Sequence, residues 1–187
     1  MKHIMEFNEF INEKLEDTYD YGCAMLFFDF PELMKVQDAI NPKDIYEKED
    51  DKSFGLEDEP HCTLLYGLHK EVTVDEVKEI VNKINFGKIK LHNASLFENE
   101  YDVFKFDVGY VNEDDNFLHE CNESLSKLPN TNDYSDYHPH ATIAYIKKGK
   151  GKKYADMIKS ESFDIKPSHC IFTQPSGKQN KIKIKTT

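Results

Sequence analysis

Two stretches of the chain carry the same pattern: a histidine, one variable residue, a threonine and then an apolar run. They are HCTLLYGL, residues 61–68, and HATIAYI, residues 140–146. On a β-strand, residues two apart share a face, so His61 and Thr63 point the same way, as do His140 and Thr142. Composition alone would give about 0.3 such patterns, and two occur. The repeat therefore favours a shared role.

The chemistry that suits two imidazoles and two hydroxyls is that of phosphodiesters. If the two strands lie side by side across a groove, a neutral histidine can take a proton from the attacking hydroxyl or water. A protonated histidine can then donate to the leaving oxygen. Histidine fits both tasks because its ordinary pKa lies near neutral pH. Threonine hydroxyls can donate hydrogen bonds to the non-bridging phosphate oxygens. No metal ion or cofactor is needed.

Two alternatives compete with this interpretation. Taken singly, each pattern also fits a structural role, with a strand-end histidine bonded to backbone and a threonine favoured by β-structure. His138, two residues before His140, could also form a metal-binding histidine pair. No carboxylate or cysteine at suitable spacing completes such a site, and Pro139 marks a strand edge or start. We predict no metal, and a rim or substrate-contacting role for His138.

Two further kinds of residue are candidates for substrate contacts. Aromatic rings next to a groove can stack on a nucleobase, and Tyr21 and Tyr137 are predicted to do so from their position. Lys147 opens a lysine-rich run, KKGKGKK, that could meet substrate phosphates beside the second motif. A solvated loop entering a helix explains that run equally well.

The elements that must position these residues repeat in order. The predicted order is β-α-loop-β-α-β-β-α-loop-β-α-β-β, so each motif strand is followed by a helix and then a hairpin. Hairpins among alternating strands and helices predict an α+β fold with antiparallel or mixed sheets. Strands are predicted at 21–30, 61–68, 88–98, 102–111, 138–147, 164–173 and 180–186, and helices at 31–40, 74–84, 115–128 and 152–160.

Two segments fall outside this repeat. Residues 41–60 are acidic and contain Gly55 and Pro60, which predicts a long polar loop that is either a lid or disordered. Residues 1–18 predict a short amphipathic helix or leader before one bilobal domain at 19–187. The opening FNEFINE is similar to the openings of many large-phage proteins.

Charge and composition narrow the partners. The net charge is −11, yet residues 146–187 carry +8, so the preceding part carries −19. An acidic body disfavours coating of long nucleic acids such as duplex DNA, whereas a small phosphorylated ligand remains compatible. All 24 basic residues are lysine, so phosphate must be held by lysine, histidine, hydroxyls or backbone amides. Four scattered cysteines indicate buried thiols, and without a long apolar segment we expect a cytoplasmic protein with no membrane partner.

The paired motifs, about 80 residues apart, resemble those of the 2H phosphoesterase superfamily. Its members include LigT-like 2′-5′ RNA ligases, 2′,3′-cyclic phosphodiesterases and phage anti-CBASS nucleases. The resemblance covers residues 20–186 in element order and rests on the two motifs at residue level. It implies two pseudo-symmetric α/β lobes around a groove, with acid–base roles for His61 and His140 and phosphate contacts for Thr63 and Thr142. The arginines often found near these motifs in the family are absent here.

Three functions follow from the resemblance and the composition. The first is a metal-independent phosphodiesterase acting on a small nucleotide, with a cyclic oligonucleotide immune signal as the expected substrate and a phage-encoded enzyme in the host cytoplasm as the setting. The second is processing of short RNA ends that carry a 2′,3′-cyclic phosphate or a 2′-5′ linkage. The third is a nucleotide-binding or phage structural protein that retains the fold without activity.

Overall fold

A computed structural model describes residues 19–49, 51, 53–132 and 136–186 of the chain. The predicted leader at residues 1–18 lies outside the described residues. The elements are β1 (Gly22–Phe28), α1 (Leu33–Asp38), a 3-10 turn (Pro42–Asp44), β2 (His61–Leu68), α2 (Val74–Lys83), β3 (Asn85–Phe86), β4 (Ile89–Glu98), β5 (Tyr101–Tyr110), α3 (Phe117–Leu125), β6 (His140–Lys147), α4 (Lys152–Ile158), β7 (Phe163–Ile165), β8 (Pro167–Thr173), β9 (Gln179–Lys183) and β10 (Lys185–Thr186).

The strands form two four-stranded sheets, one in each lobe. The first sheet has the order β2-β1-β8-β9 and the second the order β6-β5-β4-β7. All neighbours in both sheets are antiparallel, while β10 and β3 form a small parallel pair. The predicted α+β class with two lobes is therefore confirmed. Each motif strand is an edge strand of its own sheet, and β2 and β6 contact each other where the lobes meet.

The continuous apolar run of β1 reflects burial on both of its faces. Ala24 and Leu26 point into the main core, which also takes in the buried residues of the helices. Cys23, Met25 and Phe27 point to the other side and form a smaller cluster. Burying an aliphatic side chain of this size contributes about 1.5–3 kcal/mol, so β1 anchors the first sheet from both sides.

Helix α2 begins where the sequence predicts, directly after Thr73. The Thr73 side chain accepts a hydrogen bond from the Glu76 amide, and the Glu76 carboxylate accepts one from the Thr73 amide. This capping box satisfies two amides that the first turn leaves without helical partners. Val77 and Val81 then point into the core, as the spacing indicates.

Three predicted strands differ clearly from the structure, and the one predicted at 180–186 is divided into β9, which pairs with β8, and β10, which pairs with β3. The strand predicted at 164–173 is broken at Lys166, so that β7 pairs with β4 in one sheet and β8 pairs with β1 in the other. Pro167 follows the break, and a residue before proline is restricted in its backbone conformation. The strand predicted at 138–147 begins only at His140, because Pro139 has no amide hydrogen; its carbonyl instead accepts a bond from Val108.

The polar loop before β2 lies along the outer edge of β6. The Tyr46 amide donates to the Tyr145 carbonyl at 2.9 Å, and the Glu57 amide donates to the Ile143 carbonyl at 3.0 Å. Between these bonds the Tyr145 amide donates to the Gly55 carbonyl at 2.7 Å. These bonds satisfy backbone groups that an uncovered edge strand would expose. The loop is therefore attached to the motif strand at three points.

Within the described part of the chain, no helix combines the length and apolarity needed to cross a bilayer.

Candidate active site

The structure brings the two motif histidines together at the junction of the lobes. The positive charge of a protonated His140 lowers the pKa of His61, so the two rings are close enough to interact electrostatically. The backbone amide of His140 also contacts the sulfur of Cys62, the residue that follows His61. The convergence expected from the sequence is thus present in the fold.

Both imidazoles are held in the same way. The Nδ1–H of His61 donates to the Glu59 carbonyl at 2.9 Å, and that of His140 donates to the His138 carbonyl at 3.0 Å. In each case the acceptor is the backbone oxygen two residues earlier. A carbonyl can only accept, so each neutral ring is the Nδ1–H tautomer with its lone pair on Nε2. The backbone bonds therefore hold the two rings in the same tautomer.

His61 is the more deeply buried of the two. Only 3% of the residue is exposed, and its ring stacks on Phe27 with centroids 5.1 Å apart. Burial, with the charge of His140 as a smaller contribution, lowers the pKa of His61 to about 4, although the bond to Glu59 acts in the other direction. His61 is therefore neutral at neutral pH.

His140 has a more polar environment. Burial lowers its pKa, and the charge of Lys105 lowers it further, while the His138 carbonyl and the carboxylate of Asp107 oppose the shift. Asp107 lies directly opposite His140 on β5, where opposed side chains have Cβ atoms about 4.5–5.5 Å apart. The rings of His140 and Phe97 are nearly perpendicular, with their centroids 4.9 Å apart.

The two threonines supply hydroxyls on the same strands. Thr142 is 6% exposed and lies opposite Lys105. Thr63 Oγ1 is buried and has no hydrogen-bond partner of ordinary geometry among the described residues, although the Cys23 thiol lies against it. A contact of either hydroxyl with a phosphate stays a prediction.

Lys105 and Asp107 form a charged network that the sequence did not single out. The Lys105 ammonium pairs with the Asp107 carboxylate, which also accepts a bond from the Asn93 amide group. Although burial acts to raise the Asp107 pKa, the bonds from Lys105 and Asn93 hold it below its ordinary value. The signal was present in YDVFKFDVGY, where Lys105 and Asp107, two residues apart, share a face of a largely apolar strand that also contains Asp102.

Phe97 is a second residue that sequence reasoning missed. It is 40% exposed, which is unusual for a large aromatic side chain, and it lies at the edge of the His140 ring. The Lys105 ammonium lies 4.9 Å from the centre of its ring, a cation–π contact. An exposed ring beside the histidine pair offers a surface for stacking.

The residues around the second motif have structural contacts of their own. The Tyr137 hydroxyl donates to the Thr63 carbonyl at 2.8 Å, which ties the segment before β6 to β2. The His138 side chain is exposed, and its carbonyl supports the His140 ring. Contacts of these two side chains with a substrate stay predictions.

Tyr21 and Lys147 lie far from the two histidines along the strands. Lys147 is seven residues along β6 from His140, about 23 Å, and its ammonium donates to the Lys43 carbonyl at 2.8 Å. Tyr21 precedes β1 at the end where Gly22 pairs with Leu68, and its ring contacts Tyr66. The structure does not bring either residue to the histidine pair.

Across the described residues, no three side chains among histidine, cysteine, aspartate and glutamate are close enough to hold a metal ion. The described residues therefore offer no preformed cage for a resident ion. The sequence-based expectation that the chemistry needs no metal stays a prediction.

Comparison with known proteins identifies the fold. No family model and no curated protein matches the chain. Among solved structures, Usb1 from Kluyveromyces marxianus matches with a TM-score of 0.52 and 6% identity, over 89% of this chain and 99% of that one. LigT from E. coli matches with a TM-score of 0.45 and 13% identity, over 90% and 99% of the two chains. A further structure, described as a phosphoesterase, has a TM-score of 0.44 and 14% identity, over 87% and 95%.

The match to Usb1 agrees with the predicted fold, an α+β chain with mostly antiparallel sheets. At 6% identity the likeness establishes the fold alone.

Proposed function

We propose that the protein is a metal-independent phosphodiesterase that cleaves a phosphodiester bond in a nucleotide substrate. The observation that carries the proposal is the pair of histidines that converge at the junction of the lobes, each with Nδ1–H bonded to the carbonyl two residues earlier. Acid–base catalysis needs two such groups on opposite sides of the phosphorus, with one ring nitrogen of each available for proton transfer.

His61 is the general base in this proposal. Its low pKa keeps it neutral at neutral pH, so its Nε2 can take the proton from the attacking hydroxyl or water as the new P–O bond forms. His140 is the general acid, since Asp107 and the bound phosphate both favour its protonated form. It donates its proton to the leaving oxygen as the old P–O bond breaks. Proton exchange with solvent then restores both rings.

The phosphate is held by hydroxyls and one buried lysine. Thr63 and Thr142 lie on the same strands as the two histidines, two residues further along. Lys105 lies opposite Thr142 and supplies a positive charge in place of an arginine. As negative charge builds on the non-bridging oxygens, these donors stabilise it in a setting that is largely shielded from water.

A nucleotide is the substrate class that suits the surroundings of this site. The exposed ring of Phe97 beside His140 can stack on a nucleobase, and such contacts contribute about 1–3 kcal/mol. Within this class we propose a cyclic oligonucleotide immune signal, cleaved by a phage-encoded enzyme in the host cytoplasm. The acidic body and the opening FNEFINE support that choice.

A substrate panel tests the proposal. The purified protein is incubated with cyclic di- and trinucleotides, 2′,3′-cyclic mononucleotides and 2′-5′ oligoadenylate, and the products are identified by mass. We expect hydrolysis of a cyclic oligonucleotide at a rate that is unchanged by EDTA. Hydrolysis only of 2′,3′-cyclic ends would move the assignment to RNA-end processing. Activity lost on chelation would contradict the metal-independent mechanism, and turnover of none of these substrates would contradict the proposal as a whole.

A further inference from the structure

Three rings form a stacked row across the first sheet, starting at the candidate base. His61 on β2 stacks on Phe27 of β1 with centroids 5.1 Å apart, and Phe27 stacks on His169 of β8 at 5.2 Å and 11°. His61 and His169 are both register partners of Phe27, so all three side chains project from the same face. The row leads from the reaction centre towards the far edge of the sheet.

Two lysines continue the row on the edge strand. Lys183 lies directly opposite His169, and Lys181 lies opposite Ile171. Opposed residues of an antiparallel pair share a face, so both lysines are on the face of the ring row, whereas Ile182 between them is buried in the core. Burial and the charge of Lys181 lower the pKa of His169, which places that ammonium near the ring.

Part of the positive charge of the C-terminal segment lies on this face of the first sheet. The C-terminal part is strongly positive while the rest is acidic, and β9 carries Lys181 and Lys183 onto the face that bears His61. Asp29 is the opposing charge that acts on His169, and it lies on a cleft of about 400 Å³ that Asp58 and Glu59 also line. Phe27 and His169 line the same cleft, so the positive charge of the row is carried by the two lysines of β9.

The spacing suits a second phosphate. From β2 to β9 there are three strand intervals of about 4.8 Å, so the Cα atom of Lys183 lies about 14 Å from that of His61, and Lys181 lies two residues further along β9. A mononucleotide with its phosphate at His61 and His140 would leave them uncontacted. A ligand with a further phosphate can meet both the histidine pair and the lysines.

We propose that His169, Lys181 and Lys183 form a subsite for a second phosphate, so that the substrate is an oligonucleotide, either cyclic or a linear single-stranded end. This inference rests on the proposed function of the histidine pair, and it adds that a lone nucleotide fills only part of the site. Phosphate contacts of this kind are electrostatic and lose strength with salt.

Binding measurements test the subsite without depending on turnover. The probes are a cyclic dinucleotide, a linear trinucleotide and a 2′,3′-cyclic mononucleotide, and the protein is the full chain with Lys181→Gln and Lys183→Gln combined. Lys178→Gln combined with Lys185→Gln is the matched control, since it removes the same charge from the same C-terminal segment at other positions. Dissociation constants are measured for each protein at several salt concentrations.

We expect the double variant to bind one of the two oligonucleotides at least ten times more weakly, with less than a twofold change for the mononucleotide. The plot of the logarithm of the association constant against the logarithm of the salt concentration should become less steep by about 0.7 for each phosphate that the lysines no longer neutralise. The oligonucleotide that responds identifies the source of the second phosphate. Equal effects on all three probes, or equal effects of the control variant, would overturn the subsite. Absence of hydrolysis by the wild type would count against the proposed function instead, and the binding comparison would still decide the subsite.

Discussion

Asp107 lies directly across the β5–β6 pair from His140, and its carboxylate opposes the fall in the His140 pKa that burial and Lys105 cause. His61 is more deeply buried, and burial lowers its pKa to about 4. The same ring, anchored by the same backbone bond, is thus given two different proton affinities by its surroundings. In the proposed mechanism this difference makes His61 the base and His140 the acid, and the two pKa values can be measured.

The pH dependence of kcat/KM should have one limb for the titration of His61 and one for that of His140. His61 must be neutral, so activity rises with pH through about 4; His140 must be protonated, so activity falls at a pKa below its ordinary 6.5. We expect an optimum on the acidic side of neutrality. Asp107→Asn removes the carboxylate that favours protonated His140 and should move the falling limb to lower pH. A falling limb that stays in place or moves upward in this variant would contradict the assignment.

Thr63→Val separates the role of the hydroxyl from its effect on stability. Because the buried Thr63 Oγ1 has no partner of ordinary geometry among the described residues and only a weak donor, the Cys23 thiol, lies against it, replacement of the hydroxyl by a methyl group should leave the free energy of unfolding unchanged or raise it by up to about 1 kcal/mol. The same change should lower kcat about 10- to 100-fold, since a donor to the phosphate is removed. Urea unfolding and steady-state kinetics provide the two numbers. Unchanged kcat would remove Thr63 from the mechanism.

Lys105→Met tests the buried cation. We expect kcat/KM to fall at least tenfold, because no arginine replaces the missing charge, while Asp107 keeps its bond from Asn93. Lys90→Met on the neighbouring strand β4 is the matched control and should change kcat/KM less than twofold. If the two variants have the same activity, Lys105 is a structural ion-pair partner only.

Glu57 and His61 should change the free energy of unfolding in opposite directions as the pH rises. Between about pH 4 and 6.5 the unfolded state binds a proton at His61 and the folded state does not, so the free energy of unfolding rises with pH by at most about 3 kcal/mol. Burial raises the pKa of Glu57 from 4.5 to about 7, so the folded state keeps a proton there that the unfolded state loses. This makes stability fall as pH rises from 4.5 to 7, by a similar amount.

Glu57→Gln should therefore reveal the contribution of His61. The variant keeps an acceptor for the Glu59 amide, and its free energy of unfolding should rise with pH between 4 and 6.5 more steeply than that of the wild type. Adding His61→Asn should abolish the extra slope. Urea denaturation at half-unit pH intervals measures it, and parallel curves for wild type and Glu57→Gln would show that Glu57 ionises normally.

The parts of the site that could be predicted are those that depend on the spacing of residues within one strand or helix. The strand period places Thr63 on the face of His61, and the capping box places the start of α2 at Thr73. The contact of β2 with β6 depends on the packing of two separate sheets, so only the family resemblance could suggest it. Lys105 escaped notice because one lysine in an apolar strand also fits an exposed strand face, and its burial is a tertiary property.

Distance along the strand separates Lys147 from His140, so a contact of Lys147 with substrate phosphates stays a prediction. Both belong to β6, but each residue advances the chain by about 3.3 Å, so closeness in sequence does not mean closeness to the site. The division of 164–173 between two sheets has a similar origin. The sequence shows an extended segment there, whereas the choice of partners, β4 for Ile165 and β1 for Cys170, is made by the assembled lobes.

The central claim is that His61 and His140 act together on a phosphodiester, and single-turnover hydrolysis by His61→Ala and His140→Ala tests it most directly. With the best substrate of the panel, each variant should be at least about 10³-fold slower than the wild type, within the range of acid–base contributions, while circular dichroism shows the same fold. His119→Ala, which removes a histidine bonded to Tyr110 outside the pair, should retain wild-type rates. Undiminished turnover in either motif variant would contradict the account.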